Sequence, residues 1–134
     1  MAEKKNNTEI DLLQYVSENN DDRVCDILSN KPEYLFKIPP EMRKEQYIMS
    51  AITKDIHIFT SLAENEKTLQ ICEIAVKKIS RYIKDVPEHI KTKEFILRMI
   101  DKNGYIIDDI DNPTEEMCMR AVMTNPYSIH YIKT

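Results

Sequence analysis

TLQICEIAVKKISRYIKDVPEHIK, residues 68–91, decides the fold. Its first half places Ile71, Cys72, Ala75 and Val76 on one face of a helix. A break follows, then a shorter helix with Tyr82, Ile83 and Val86, then a loop opened by Pro87. Sliding this pattern by 24 residues in either direction finds it again. A fixed period in this range is the signature of a helical-repeat array, because one such unit cannot bury its apolar face alone.

Let A denote the longer helix of each unit and B the shorter one. The last apolar anchor of A is Leu28, Ile52, Val76, Ile100 and Val122. Four residues earlier stand Val24, Ile48, Cys72, Ile96 and Cys118, and one residue earlier Ile27, Ala51, Ala75, Met99 and Ala121. Offsets of three and four share a helical face. In B the pattern is Leu35, Phe59, Ile83, Ile107 and Ile129, then three residues later Ile38, Leu62, Val86, Ile110 and Ile132. Every one of these positions is apolar in a chain that is 42% hydrophobic, so chance does not explain the register.

The punctuation repeats as well. The N-caps of A fall on Asn20, Lys44, Thr68, Thr92 and Thr114, and four of these five residue types cap well. Pro39 and Pro87 end B, and Pro32 and Pro126 lie between A and B, where the chain must turn. The anchors are spaced 24, 24, 24 and then 22 residues, with the shortening in the loop between Ile110 and Thr114. Thr8 is expected to cap a helix over 8–16, whose Leu12, Leu13 and Val16 match the B pattern. That helix reads as the B half of a truncated leading repeat, capping the array with Glu9, Asp11, Gln14 and Glu18 toward water. Residues 1–7 read as a flexible tail and 8–134 as a single helical-repeat domain. The expected fold class is all-α: a short, right-handed, solenoid-like array of about five helix-pair repeats of 22–24 residues behind a half-repeat.

Composition narrows the function classes. The 134 residues carry a formal charge of −4, which argues against a wholesale nucleic-acid binder. One glycine and no tryptophan disfavour a hairpin-rich β fold. Cys25, Cys72 and Cys118 form no C-x-x-C pair and each falls in a helical segment, so three reduced, buried thiols are expected. No apolar run is long enough to span a membrane and the first residues carry no signal-peptide core, so a cytoplasmic protein is expected.

PEHIKTKEFI at 87–96, TEEMCMRAV at 114–122 and PYSI at 126–129 resemble a short tandem helical-repeat family of unknown function found in bacteria, phages and giant viruses. Its repeat runs roughly V-P-E-x-x-K-T-x-E-x-C-x-x-A-V-x-x-N-G-x-x-L, and Asn103-Gly104-Tyr105-Ile106-Ile107 fits its N-G-aromatic segment. The resemblance covers residues 20–134 and is best after 68; Lys44 replaces the Thr of the motif and Ala63 the Pro. It implies tandem helix pairs and a binding role, and it brings no catalytic residues.

No constellation of catalytic type is visible. His57, His89 and His130 occupy unrelated repeat positions, so no catalytic residue, metal ligand or cofactor is expected. Residues 67–102 hold nine basic and five acidic residues, with Lys77, Lys78, Arg81 and Lys84 at their centre. A solvated face explains them, and a phosphate-tracking face is the alternative. Asp108, Asp109, Asp111, Glu115 and Glu116 form an acidic loop without the turn glycine of a calcium site. Five residues past each anchor stand Glu33, His57, Arg81, Tyr105 and Tyr127. A surface row of varied chemistry beside constant apolar rows suits partner binding, because Tyr and Arg dominate interface hot spots.

Residues 115–132 hold more apolar side chains than one interior face needs: Met119, Val122, Met123, Tyr127, Tyr131 and Ile132. A sticky C-terminal end is expected, engaged in a homodimer through the C-terminal helices or in a docked partner protein. The function expected is therefore a non-enzymatic protein–protein interaction module. The resemblance and the small Lys-, Ile- and Asn-rich chain extend this to a phage or viral inhibitor of a host defence protein, anti-CRISPR-like or otherwise. The alternative is a nucleic-acid-associated protein using the basic residues between 77 and 102.

Overall fold

The structure, a computed structural model, describes residues 7–132. Residues 1–6 of the tail expected over 1–7 lie outside them, and its last residue, Asn7, already belongs to a helix. All regular structure among the described residues is helical. Six α-helices run in order: α1 (Asn7–Ser17), α2 (Asp21–Asn30), α3 (Glu45–Lys54), α4 (Leu69–Lys78), α5 (Lys93–Lys102) and α6 (Glu115–Thr124). After each of α2 to α6 comes a six-residue 3₁₀ helix: η1 (Pro32–Lys37), η3 (Ile56–Ser61), η5 (Ser80–Asp85), η6 (Gly104–Asp109) and η7 (Pro126–Tyr131). Two single turns, η2 (Pro40–Met42) and η4 (Glu64–Glu66), sit in the loops before α3 and α4.

The five A helices stand where the repeat register places them. Asn20, Thr68, Thr92 and Thr114 each accept a hydrogen bond from the backbone N–H three residues on, at 3.5, 3.4, 3.1 and 3.2 Å. Lys44 caps α3 without a side-chain bond, since an ammonium group has no acceptor.

The B halves are 3₁₀ rather than α, and the reason is local. Each A helix ends on a residue that leaves the helical conformation: Lys31, or, in extended backbone, Asp55, Ile79, Asn103 and Asn125. That residue's N–H still closes the α-helix, while its carbonyl accepts the first 3₁₀ bond, from Tyr34, Ile58, Tyr82, Ile106 or Ser128. In three repeats the hinge side chain fixes the turn: Asp55, Asn103 and Asn125 accept from the N–H of His57, Tyr105 and Tyr127 at 3.0–3.1 Å. At six residues each of these 3₁₀ helices is longer than most 3₁₀ runs.

The leading helix departs from expectation. α1 begins at Asn7, so Thr8 lies within it and is not its cap, and it is an α-helix of 11 residues rather than a B-type 3₁₀ turn. Leu12 and Val16 are buried, Leu13 and Glu9 half-buried, and Asp11, Gln14 and Glu18 exposed. Asn19, at φ 55°, reverses the chain into α2, a conformation that asparagine tolerates. Asn112, at φ 51°, does the same in the shortened loop before α6.

The contacts divide the chain into two compact units, Met1–Ser61 and Leu62–Thr134. In the first, α1 packs on α2, α2 on α3, and η1 lies against both α2 and α3. In the second, α4, α5 and α6 pack in sequence, and η5, η6 and η7 do the same beside them. Each unit is thus a short stack of helix pairs. The core is the set of repeat anchors: Leu28, Leu35, Ile38, Ala51, Ile52 and Phe59 are fully buried in the first unit, Cys72, Ala75, Val76, Met99 and Ile100 in the second. Ile27, Ile110, Cys118, Val122 and Ile132 are only half-buried, and Ile129 is exposed.

Candidate functional site

Two bases brace the loops, and sequence reasoning missed them. Arg43 Nε donates to the carbonyls of Leu35 and Ile38 at 3.1 and 2.8 Å, tying down the end of η1. Buried Lys67 donates to Asp85 O at 3.1 Å, at the end of η5. Both stand nine residues before an A anchor, as does Lys91, so the repeat register carried the signal. A cation near helix-terminal carbonyls is favourable.

The row five past the anchor is exposed throughout. Glu33, His57, Arg81, Tyr105 and Tyr127 each occupy the second position of a 3₁₀ helix, two residues before the fourth position, which is buried at Leu35, Phe59, Ile83 and Ile107. In the second unit Tyr105 meets Tyr131 edge to face, with ring centres 5.5 Å apart. Lys77, Lys78, Arg81 and Lys84 are also exposed, at the turn from α4 into η5.

The last repeat is where apolar surface gathers. Met119 is 59% exposed, Met123 79%, Tyr127 69%, Ile129 60% and Tyr131 42%. Leu35, Phe59, Ile83 and Ile107, which hold the position of Ile129 in the other four repeats, are buried. Of the six side chains that the sequence reading names for this end, Met119, Met123, Tyr127 and Tyr131 are exposed and Val122 and Ile132 are half-buried; Ile129, which the repeat register assigns to the core, is exposed as well. The shallow depression on α6, of about 370 Å³, is lined by Glu115, Glu116, Met119, Arg120 and Met123.

A second cleft, of about 730 Å³, lies where η6 and its loop meet α6 and η7. Lys84, Asp108, Asp111, Asn112, Cys118 and Tyr131 line it with Ile107, Ile110 and Pro113. Part of the acidic loop therefore faces this cleft, while Asp109 accepts from Ser80 Oγ at 3.2 Å and Glu116 pairs with Lys93 at 2.7 Å. That pairing lowers the Glu116 carboxyl and raises the Lys93 amine. No group of His, Cys, Asp and Glu among the described residues is placed to hold a metal ion.

The three cysteines are free. Cys72 is buried, which pushes its thiol up to about 11. Cys25 and Cys118 are half-buried, not buried as expected: Cys25 stands one residue past the core position of Val24, and Cys118, in the core row itself, lines the cleft beside η6. No helix among the described residues is long and apolar enough to cross a membrane.

No protein-family model matches the chain, and no curated protein and no solved structure matches it.

Proposed function

We propose that this chain is a non-enzymatic protein–protein interaction module whose working surface is the end of the last repeat. The observation that carries the reading is the contrast at one repeat position: Ile129 is 60% exposed where its four counterparts are buried. The exposed apolar side chains of the same repeat, Met119, Met123, Tyr127 and Tyr131, add the kind of adaptable surface that proteins dock on. Tyr105 joins it through its edge-to-face contact with Tyr131, and Arg81 and His57 hold the same repeat position as Tyr105, both exposed. Either a second copy of the chain or another protein covers this face. By the family resemblance, the target is a host defence protein, and the chain is a phage or viral inhibitor acting in the host cytoplasm. The test is affinity capture from the native host with wild type and with Met123→Glu/Ile129→Glu, read by mass spectrometry beside sedimentation of each. A partner or a dimer present with wild type and lost with the variant, at unchanged helicity, supports the reading. Equal recovery and a monomer in both refute it.

The exposed group Lys77, Lys78, Arg81 and Lys84 supports a second reading, in which the chain tracks phosphates. Binding of a single-stranded oligonucleotide that falls steeply between about 50 and 200 mM salt, by roughly 0.7 log units of affinity per log unit of salt for each phosphate neutralised, would favour it.

A further inference from the structure

Consecutive long helices meet along one repeating pair of stripes. Glu73 of α4 pairs with Arg98 of α5. Lys93 and Asp101 of α5 pair with Glu116 and Arg120 of α6, at 2.7 and 3.4 Å. Counted from the apolar anchor of its own helix, the leading partner stands at −3, −7 or +1 and the following partner at −2 or −6. Steps of four make each set a single stripe. Residues near the start of one helix meet residues near the start of the next, so the helices run parallel. In the first unit Asp21, at −7 of α2, likewise meets the start of α3: Lys44 at 2.9 Å, Gln46 at 2.7 Å, and Tyr47.

On α6 the leading stripe is Glu115, Met119 and Met123, and all three are exposed. It is the stripe with which α4 holds α5 and α5 holds α6, left open one step further on. Glu115 stands in the register of Asp21, which gathers a base, an amide and a phenol.

We propose that this stripe docks one amphipathic helix of a partner protein, parallel to α6. Its first turn carries a base and a hydrogen-bond donor for Glu115, and its face carries apolar side chains for Met119 and Met123. The proposal rests on the interaction-module reading and names the chemistry of the partner. A second copy of this chain has that chemistry at the start of α3, where Lys44, Gln46 and Tyr47 are already engaged by Asp21. The first turn of α6 holds Glu115 and Glu116. At the other end, Asp11 of α1 and Glu18 just past it face solvent, and α1 carries no base. Two copies meeting by these ends would set acid against acid, which costs affinity.

The probe is a helix-stapled, labelled peptide of residues 43–55, RKEQYIMSAITKD, which carries the Lys44, Gln46 and Tyr47 that satisfy Asp21. It is titrated into the full chain by fluorescence anisotropy. We expect saturable one-to-one binding, weakened about tenfold by Glu115→Lys and by Met123→Glu, and unchanged by Glu41→Lys. A peptide with Lys44→Glu should bind Glu115→Lys better than wild type. Met119→Gln serves should Met123→Glu not fold. Absence of binding, or binding indifferent to Glu115→Lys, overturns the proposal; so does self-association of wild type that Met123→Glu abolishes. If the peptide fails while capture from the host still depends on Met123 and Ile129, the partner chemistry falls and the interaction module stands.

Discussion

Gly104 faces the carbonyl oxygen of Ala121 so closely that a Cβ on it would stand 2.5 Å away. The same Cβ would come within 2.8 Å of Ser128 Oγ. The single glycine of the chain is thus the point where η6 meets both halves of the following repeat. Its φ is not positive, so the requirement is space rather than backbone freedom. Gly104→Ala should destabilise by about 1–3 kcal/mol, the usual cost of forcing an atom into a packed core. Ser128 is fully buried and its hydroxyl has no hydrogen-bond partner among the described residues, so Ser128→Ala alone should be neutral or stabilising. The double variant should recover part of the loss. A thermal midpoint unmoved by Gly104→Ala would mean that the two repeats do not approach this closely.

Ile100 and Ile129 are both apolar repeat positions, yet one is fully buried and the other mostly exposed. Ile100→Ala should cost about 2–5 kcal/mol, through lost transfer energy and the cavity left. Ile129→Ala should stay within about 0.5 kcal/mol. Chemical denaturation of the two variants measures the contrast. Equal losses would show that Ile129 is covered in solution, by more of the chain or by another copy.

That pair also shows how far the sequence could be read. A side chain's repeat position is written in the residues; whether a neighbour stands over it is not. The starts of the A helices were legible because apolar spacing and cap chemistry agree at Thr68, Thr92 and Thr114. The 3₁₀ character of the B halves was not legible, since Ile83 and Val86, three apart, fit an α-helix as well as a 3₁₀ turn. Lys44 looked like a failed cap, and its amine instead reaches Asp21 across to α2, a relationship no periodicity shows. The stripe of Glu115, Met119 and Met123 became recognisable only once the ion pairs of α4, α5 and α6 revealed which face receives the next helix.

The cysteines should separate by reactivity. Attack by alkylating reagents needs the thiolate, and burial holds the Cys72 thiol up to about 11. Its Sγ also sits 3.8 Å from Lys67 O, where it can donate weakly. Cys25 and Cys118 are half-buried. At about pH 8, near the ordinary thiol value, iodoacetamide followed by mass spectrometry should find Cys25 and Cys118 modified while Cys72 stays protected until denaturant is added. Early labelling of Cys72 would place it outside the core and break the register at its repeat.

Asp21 should make stability depend on pH in the acid range. The hydrogen bond from Tyr47, then that from Lys44, hold its carboxyl below the ordinary carboxylate range. A depressed folded value means that the unfolded chain binds the proton first as pH falls. The contribution is therefore complete above the unfolded value of about 3.9 and is lost as pH drops through the lower folded value. Tyr47 has the opposite sign. Burial, then the bond to Asp21, raise its phenol, so its contribution is complete below about 10 and fades as pH climbs above that. Asp21→Asn keeps the shape and removes the charge. It should lower the thermal midpoint at about pH 7, and the gap to wild type should narrow between about pH 4 and pH 2.5. Midpoint curves that run parallel over that interval would show that Asp21 gives α2 and α3 no charge-dependent hold on each other.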